Sequence, residues 1–251
     1  MTQSQAAKKE KLVDITVNGK KLQAPEGKSL LKVLLAEGYE VPHMCYHEAV
    51  SPYGACRLCL VEVKKGKKTK LTTSCNYPVL PDIEVTLDTP KVQKHRKVVL
   101  ELLLARTPNS PQLQALAAQY GVGETRFEKK YEDCILCGLC ERTCREVVGV
   151  EAIGFTGRGL ERDIGGPFTG IPTDCIGCGA CVYVCPVNCI QEEQIPTKRS
   201  IVKWNRDLPM QVCKRCGYPF APTFQLMKFQ KDTGKPWEFF ELCPDCRGME
   251  S

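Results

Sequence analysis

Histidine is scarce in this chain of 251 residues, with three in all, and no apolar run is long enough to cross a bilayer. The longest, Val98–Ala105, is interrupted by Glu101 and falls far short of the roughly 20 residues a crossing needs. The opening residues lack the apolar centre of a signal peptide and any twin arginine, so a cytoplasmic location is expected. Nucleotide fingerprints are missing too: Gly121-Val-Gly123 and Gly157-Arg-Gly159 lack the remaining glycines and read as turns. There is no P-loop, Gly-x-Ser-x-Gly elbow or dedicated acid–base pair, and no catalytic residue is expected.

Cysteine, by contrast, is abundant, with 17 residues. In a reducing compartment thiols rarely persist as disulfides, and the chain is too long to resemble small secreted scaffolds, so these thiols point to metal. The formal charge of +6 counts every cysteine as neutral. Four thiolates on a cluster or on zinc leave about −2 per site, so four such sites would bring the balance to roughly −2.

Local patterns predict an α+β protein. After a polar tail, residues 1–10, the alternation in 13–17, the Asn18-Gly19 turn and residues 20–24 predict a hairpin. Ser29 is placed to cap a helix from Leu30 to Ala36 that Gly38 ends. Residues 58–63, 70–73 and 83–87 read as strands around a basic turn at 64–68. Pro90 opens a helix reaching Ala105, whose apolar residues Val92, Val98, Val99, Leu102 and Leu103 keep helical spacing, and a second helix runs from Pro111 to Tyr120.

Residues 134–144 and 175–185 repeat one pattern, Cys-x2-Cys-x2-Cys-x3-Cys. Three closely spaced thiolates can cap one face of a 4Fe-4S cube, and in two-cluster ferredoxins the fourth Cys of each run serves the other cluster. This assigns Cys134, Cys137, Cys140 and Cys185 to one cluster, and Cys144, Cys175, Cys178 and Cys181 to the second. Pro186 follows the second run as expected, whereas Arg145 follows the first. Gly138, Gly177 and Gly179 let the backbone wrap closely around sulfur. The leftover thiol, Cys189, is expected to be a buried small apolar residue.

Cys45, Cys56, Cys59 and Cys75 form a further set with the general layout of a 2Fe-2S ferredoxin, although the spacing departs from the plant pattern. His47, close to Cys45, resembles half of a Rieske site whose other half is absent, so it reads as loop packing, and His95 as solvent-facing. At the C-terminal end Cys213, Cys216, Cys243 and Cys246 form two Cys-x2-Cys knuckles. They suit zinc in a ribbon-like module, a further 4Fe-4S cluster or mononuclear iron.

The segments Val41-Pro-His-Met-Cys45 and Gly54-Ala-Cys-Arg-Leu-Cys-Leu-Val-Glu-Val63 resemble the N-terminal iron–sulfur domain of the large NADH dehydrogenase (complex I) subunit. Diaphorase subunits of soluble NAD-linked hydrogenases and formate dehydrogenases are similar. The likeness continues through residues 96–104, Gln119-Tyr-Gly121, Gly157-Arg-Gly159 and the twin runs. It departs at Arg106-Thr-Pro-Asn-Ser-Pro111, where the family carries a His plus three-Cys cluster that this chain lacks.

The resemblance implies a β-grasp 2Fe-2S domain at 11–89, a helical linker at 90–128, a 2×4Fe-4S ferredoxin domain at 129–197 and a four-cysteine metal-binding module at 198–251. It implies a subunit passing single electrons between a flavoprotein that handles NAD(P) and a second redox partner, such as a hydrogenase, a formate dehydrogenase or a ferredoxin-linked site, within a hetero-oligomeric complex. Two rivals stand beside it. An iron–sulfur subunit of the succinate dehydrogenase or fumarate reductase type has similar length but plant-like spacing. A zinc-ribbon nucleic-acid binder would use the knuckles and the basic runs Lys8-Lys9 and 64–68, although such runs are usually only solvated.

Overall fold

The computed structural model describes residues 11–248; the polar tail expected at 1–10 lies outside them. The chain forms two compact units, one of residues up to Glu48 with Pro52–Cys137, the other of Ala49–Ser51 with residues from Gly138 onward.

In the first unit β1 (Leu12–Val17) and β2 (Lys20–Pro25) pair antiparallel across Asn18-Gly19. Both turn residues have positive φ, 46° and 83°, which suits the twist of a two-residue hairpin. β3 (Leu60–Lys65), β4 (Lys68–Thr73) and β5 (Ile83–Thr86) complete a sheet of order β2-β1-β5-β3-β4, with β5 parallel to β1 and antiparallel to β3. Helix α1 (Leu30–Ala36) buries Leu30, Leu31, Val33 and Leu34 in one core with Ile15, Val17, Val61, Ile83 and Val85. Alternation in the strands and a 3–4 spacing in the helix therefore converge on one apolar layer.

Helix α2 (Pro90–Arg106) starts as expected, with Thr89 Oγ1 accepting from Val92 N–H. Its inward stripe differs from the expectation: Val92, Arg96, Leu100 and Leu104 are buried at steps of four, while Leu102 is exposed. A charged side chain occupies the second place because its head finds partners. Arg96 donates from Nη2 to Leu60 O at 2.7 Å and from Nη1 to Asp88 Oδ1 at 3.3 Å. Helix α3 (Pro111–Gln119) is capped by Ser110, which accepts from Leu113 N–H, and packs on α2.

The second unit begins with α4 (Leu139–Arg142), continued by a π-helical turn at Thr143–Val148. A short hairpin, β6 (Gly154–Thr156) with β7 (Asp163–Gly165), precedes α5 (Ala180–Tyr183), which packs on α4. There follows an antiparallel sheet of β8 (Glu192–Ile195), β9 (Lys198–Ile201), β10 (Arg206–Val212) and β11 (Pro219–Pro222), ordered β11-β10-β9-β8. Helix α6 (Thr223–Thr233) packs on β10 and β11, and α7 (Pro244–Arg247) closes the described residues. Among those residues no helix is long and apolar enough to cross a membrane.

Candidate metal centres

The loop between α1 and β3 brings Cys45, Cys56 and Cys59 together with Cys75, which lies in a 3-10 turn after β4. All four are buried, at 1–2% exposure. The loop folds onto its own sulfurs: Met44 N–H donates to Cys56 Sγ and Cys56 N–H to Cys45 Sγ, each at 3.4 Å. Gly54 and Arg57 take positive φ, and a Cβ at Gly54 would run into the Asn76 amide. The outer turn is pinned by Ser74 Oγ, which donates to Cys59 O at 2.9 Å.

Ser29, expected to cap α1, occupies the N-cap position but directs its hydroxyl to Cys75 O at 2.9 Å. The tertiary acceptor wins over the helix amides, and α1 is thereby tied to the cysteine turn. The hydrogen-bonded Cys45 sulfur and burial push the Cys56 thiol up. Cys75 is likewise raised by Cys59 and burial, while Cys59, accepting from Cys75, is brought down to about 7. Four buried sulfurs cannot all ionise against one another without positive charge between them, so the donor set fits a metal cluster. His47 is only partly buried and His95 is exposed, its Nδ1 paired with Lys91 O at 2.7 Å.

In the second unit Cys144, Cys175, Cys178 and Cys181 line one cavity with Ile153, Ile201 and Trp204. The left-handed Gly177 and Gly179, φ 70° and 73°, turn the loop back on itself. Burial raises the thiols of Cys144, Cys175 and Cys181, the last to about 12. An apolar wall around four clustered sulfurs again fits a cluster, whose cationic iron would offset their charge.

Of the remaining run, Cys134 and Cys137 belong to the first unit and Cys140 and Cys185 to the second. Cys134 is held by Arg106 Nε, which donates to its carbonyl at 2.7 Å, and its Sγ accepts from Leu136 N–H at 3.3 Å. Cys140 lies in α4, where the buried Arg142 donates to Gly138 O at 3.1 Å and to Ser51 O. Cys189 departs from expectation. It is half-buried, its Sγ lies 3.6 Å from Cys185 Sγ, and its N–H donates to that sulfur at 3.3 Å. Its thiol meets Cys185, a contact that a merely apolar filler would not make, and that hydrogen bond brings Cys185 down to about 5.

The sulfurs of Cys213, Cys216, Cys243 and Cys246 all lie within 4.8 Å of one another. The first knuckle joins β10 to β11, with Gly217 at φ 73°, and the second opens α7. Cys243 N–H donates to Cys213 Sγ at 3.3 Å. Against burial, which acts upward, the N–H groups of Cys243, Cys216 and Arg215 bring Cys213 down to about 6. Cys246 is pushed up to about 12 by burial and by the other three sulfurs. This donor set suits one small cation.

The fold and these thiol groups define an iron–sulfur protein with two ferredoxin-type domains. Residues 10–90 match a 2Fe-2S iron–sulfur cluster binding domain and residues 129–192 a 4Fe-4S dicluster domain. The chain is related to iron–sulfur subunits of NADH-quinone oxidoreductase and to a chain of an NAD+-reducing hydrogenase. An NADH-quinone oxidoreductase subunit of Rhizobium meliloti is 28% identical over 233 residues, covering 82% of this chain and 27% of the relative. The mitochondrial NADH dehydrogenase [ubiquinone] iron–sulfur protein 1 of Solanum tuberosum is 30% identical over 214 residues, covering 75% and 29%. The chain thus spans under a third of the length of these relatives. A solved chain of the NAD+-reducing [NiFe]-hydrogenase in the H2-reduced state superposes with a TM-score of 0.62 at 27% identity, covering 70% of this chain and 85% of that one.

Arg96, Trp204, Arg199 and Arg206 escape a reading of the sequence. Only Arg96 carries a signal there, its place four residues after Val92 and four before Leu100.

Proposed function

We propose that the chain is the electron-transfer subunit of a multisubunit oxidoreductase, passing single electrons between a flavin- and NAD(P)-linked partner and a second redox partner. That partner is a hydrogenase, a formate dehydrogenase or a ferredoxin-linked site. The observation that carries this reading is the burial of Cys45, Cys56, Cys59 and Cys75 around one another in a 2Fe-2S-type domain, on a chain that also carries a dicluster domain.

In this reading Cys45, Cys56, Cys59 and Cys75 hold a 2Fe-2S cluster. Cys144, Cys175, Cys178 and Cys181 hold one 4Fe-4S cluster, and by spacing Cys134, Cys137, Cys140 and Cys185 hold the other. When bound, such clusters accept and release one electron at a time, which lets a two-electron hydride donor feed a one-electron chain. The protein's part is to orient the thiolates, aim backbone N–H groups at sulfur and exclude water. The corresponding domains are 11–89 and 129–197, joined by the helices of 90–128, with the four-cysteine module at 198–251 following the second.

For the C-terminal module we infer structural zinc in a ribbon-like fold. A tetrahedral ion with sulfur at about 2.3 Å sets its ligands about 3.8 Å apart. The 3.7 Å between Cys216 and Cys243 Sγ supports that arrangement. A cube would spread the sulfurs farther, each on a different iron.

The test is metal analysis and EPR of anaerobically purified, dithionite-reduced protein. About 10 iron and one zinc per chain are expected, with signals from one 2Fe-2S and two 4Fe-4S clusters. Protein without reducible clusters would sink the electron-transfer reading, and about 14 iron without zinc would replace the structural tail by a fourth redox station.

A further inference from the structure

Neither matched domain extends past residue 192, yet the segment beyond it is built into the second cysteine run. Trp204, 5% exposed, sits in the turn between β9 and β10, and its Nε1–H donates to Cys181 Sγ at 3.5 Å. Two arginines fasten the loop to the same sheet. Arg199 Nη1 donates to Gly177 O at 3.0 Å, and Arg206 donates to Thr173 O at 2.9 Å and Cys175 O at 3.4 Å. Gly177 is pressed so closely against β10 and β11 that a Cβ there would lie 2.8 Å from Leu208 Cδ1 and 3.2 Å from Pro222 Cγ. Ile201 and Trp204 close the wall of the cavity that the four cysteines line.

We propose that the β9–β10 segment is a built-in cap that sets the reduction potential of the cluster held by Cys144, Cys175, Cys178 and Cys181, with Trp204 acting through Cys181 as the positioning residue. This deepens the electron-transfer reading and rests on its ligand assignment. The physical argument concerns charge. Reduction adds a negative charge that spreads onto the ligand sulfurs, and an N–H aimed at one of them stabilises the reduced state and raises the potential. Arg199 and Arg206, anchored on loop carbonyls, add fixed positive charge in the same direction. The apolar wall acts oppositely, by removing the water that would solvate the added charge. Trp204 supplies both the wall and the donor, so its N–H partly offsets the cost of its own ring.

Trp204→Phe separates the two, because it keeps an aromatic wall and removes the donor. In EPR-monitored redox titrations of the full chain, one 4Fe-4S cluster is expected to move to lower potential, with iron content and the other clusters unchanged. Cys178→Ala, which leaves no donor atom, identifies the cluster concerned by removing about four iron per chain and its signal. An unchanged iron content in Cys178→Ala overturns the ligand assignment and the cap with it. Loss of iron in Cys178→Ala together with an unshifted Trp204→Phe overturns the cap alone. Should Trp204→Phe fail to fold, the unmutated protein carrying 15N-indole tryptophan gives an independent reading: hyperfine coupling to one reduced cluster is expected, and its absence overturns the proposal.

Discussion

Cys216 and Cys243 are 27 positions apart in the chain, yet their sulfurs approach to 3.7 Å. Two knuckles from different elements can hold thiols this close only if something offsets their charge once they ionise. Cys243→Ala is therefore expected to lose about one zinc per chain while retaining iron, and to expose residues 213–246 to limited proteolysis. Retention of zinc in this variant would contradict the four-sulfur site.

Cys59 lies where the cysteine loop enters β3, and both its backbone and its sulfur are held, the carbonyl by Ser74 Oγ and N–H and the sulfur by Cys75. Cys59→Ala is expected to cost about two iron per chain and the 2Fe-2S EPR signal, with the 4Fe-4S signals intact. Retention of the two iron and of that signal would contradict the ligand role of Cys59.

Arg96 joins α2 to the first residue of β3 through the Leu60 carbonyl. Arg96→Met keeps the apolar stem but leaves that buried acceptor unpaired, at an expected cost of about 1–3 kcal/mol. Asp88, largely exposed, contributes a screened ion pair, so Asp88→Asn is expected to cost under about 1 kcal/mol. Urea unfolding of the full chain, followed by far-UV circular dichroism, compares the two; equal effects would contradict the role given to the Leu60 bond.

Gly177 and Gly19 both have positive φ, 70° and 83°, but only Gly177 is hemmed in. Gly19→Ala should show the backbone penalty alone, about 1–2 kcal/mol. Gly177→Ala adds the collision with Leu208 and Pro222, about 1–3 kcal/mol more, and is expected to lower cluster occupancy as measured by iron content. Equal effects would mean that the cap packs more loosely than the structure shows.

Much of the fold and of the thiol sets is legible in the chain, because the signals are local. The Asn18-Gly19 hairpin, the helix starts at Pro90 and Pro111 and the twin cysteine runs each lie within a dozen residues, and turn chemistry, proline geometry and ligand spacing act at that range. Expectation and structure part where a distant group competes. Ser29 turns from its helix to Cys75, 46 residues away, and Arg96 displaces an apolar residue from the α2 stripe because Leu60, 36 residues away, offers an acceptor. Cys189 reads as filler because nothing in its spacing shows that its thiol meets Cys185.

The amino-acid sequence by itself determined how the thiols are grouped along the chain and which kind of metal chemistry such spacing suits, since ligand type and spacing are written there. Only the tertiary structure decided what surrounds those sulfurs. Trp204 on Cys181, the burial of Cys45 and Cys75, and the approach of Cys216 to Cys243 depend on segments brought together by burial of apolar surface. That driving force is non-directional, so linear spacing carries no record of which distant side chain will meet a given sulfur.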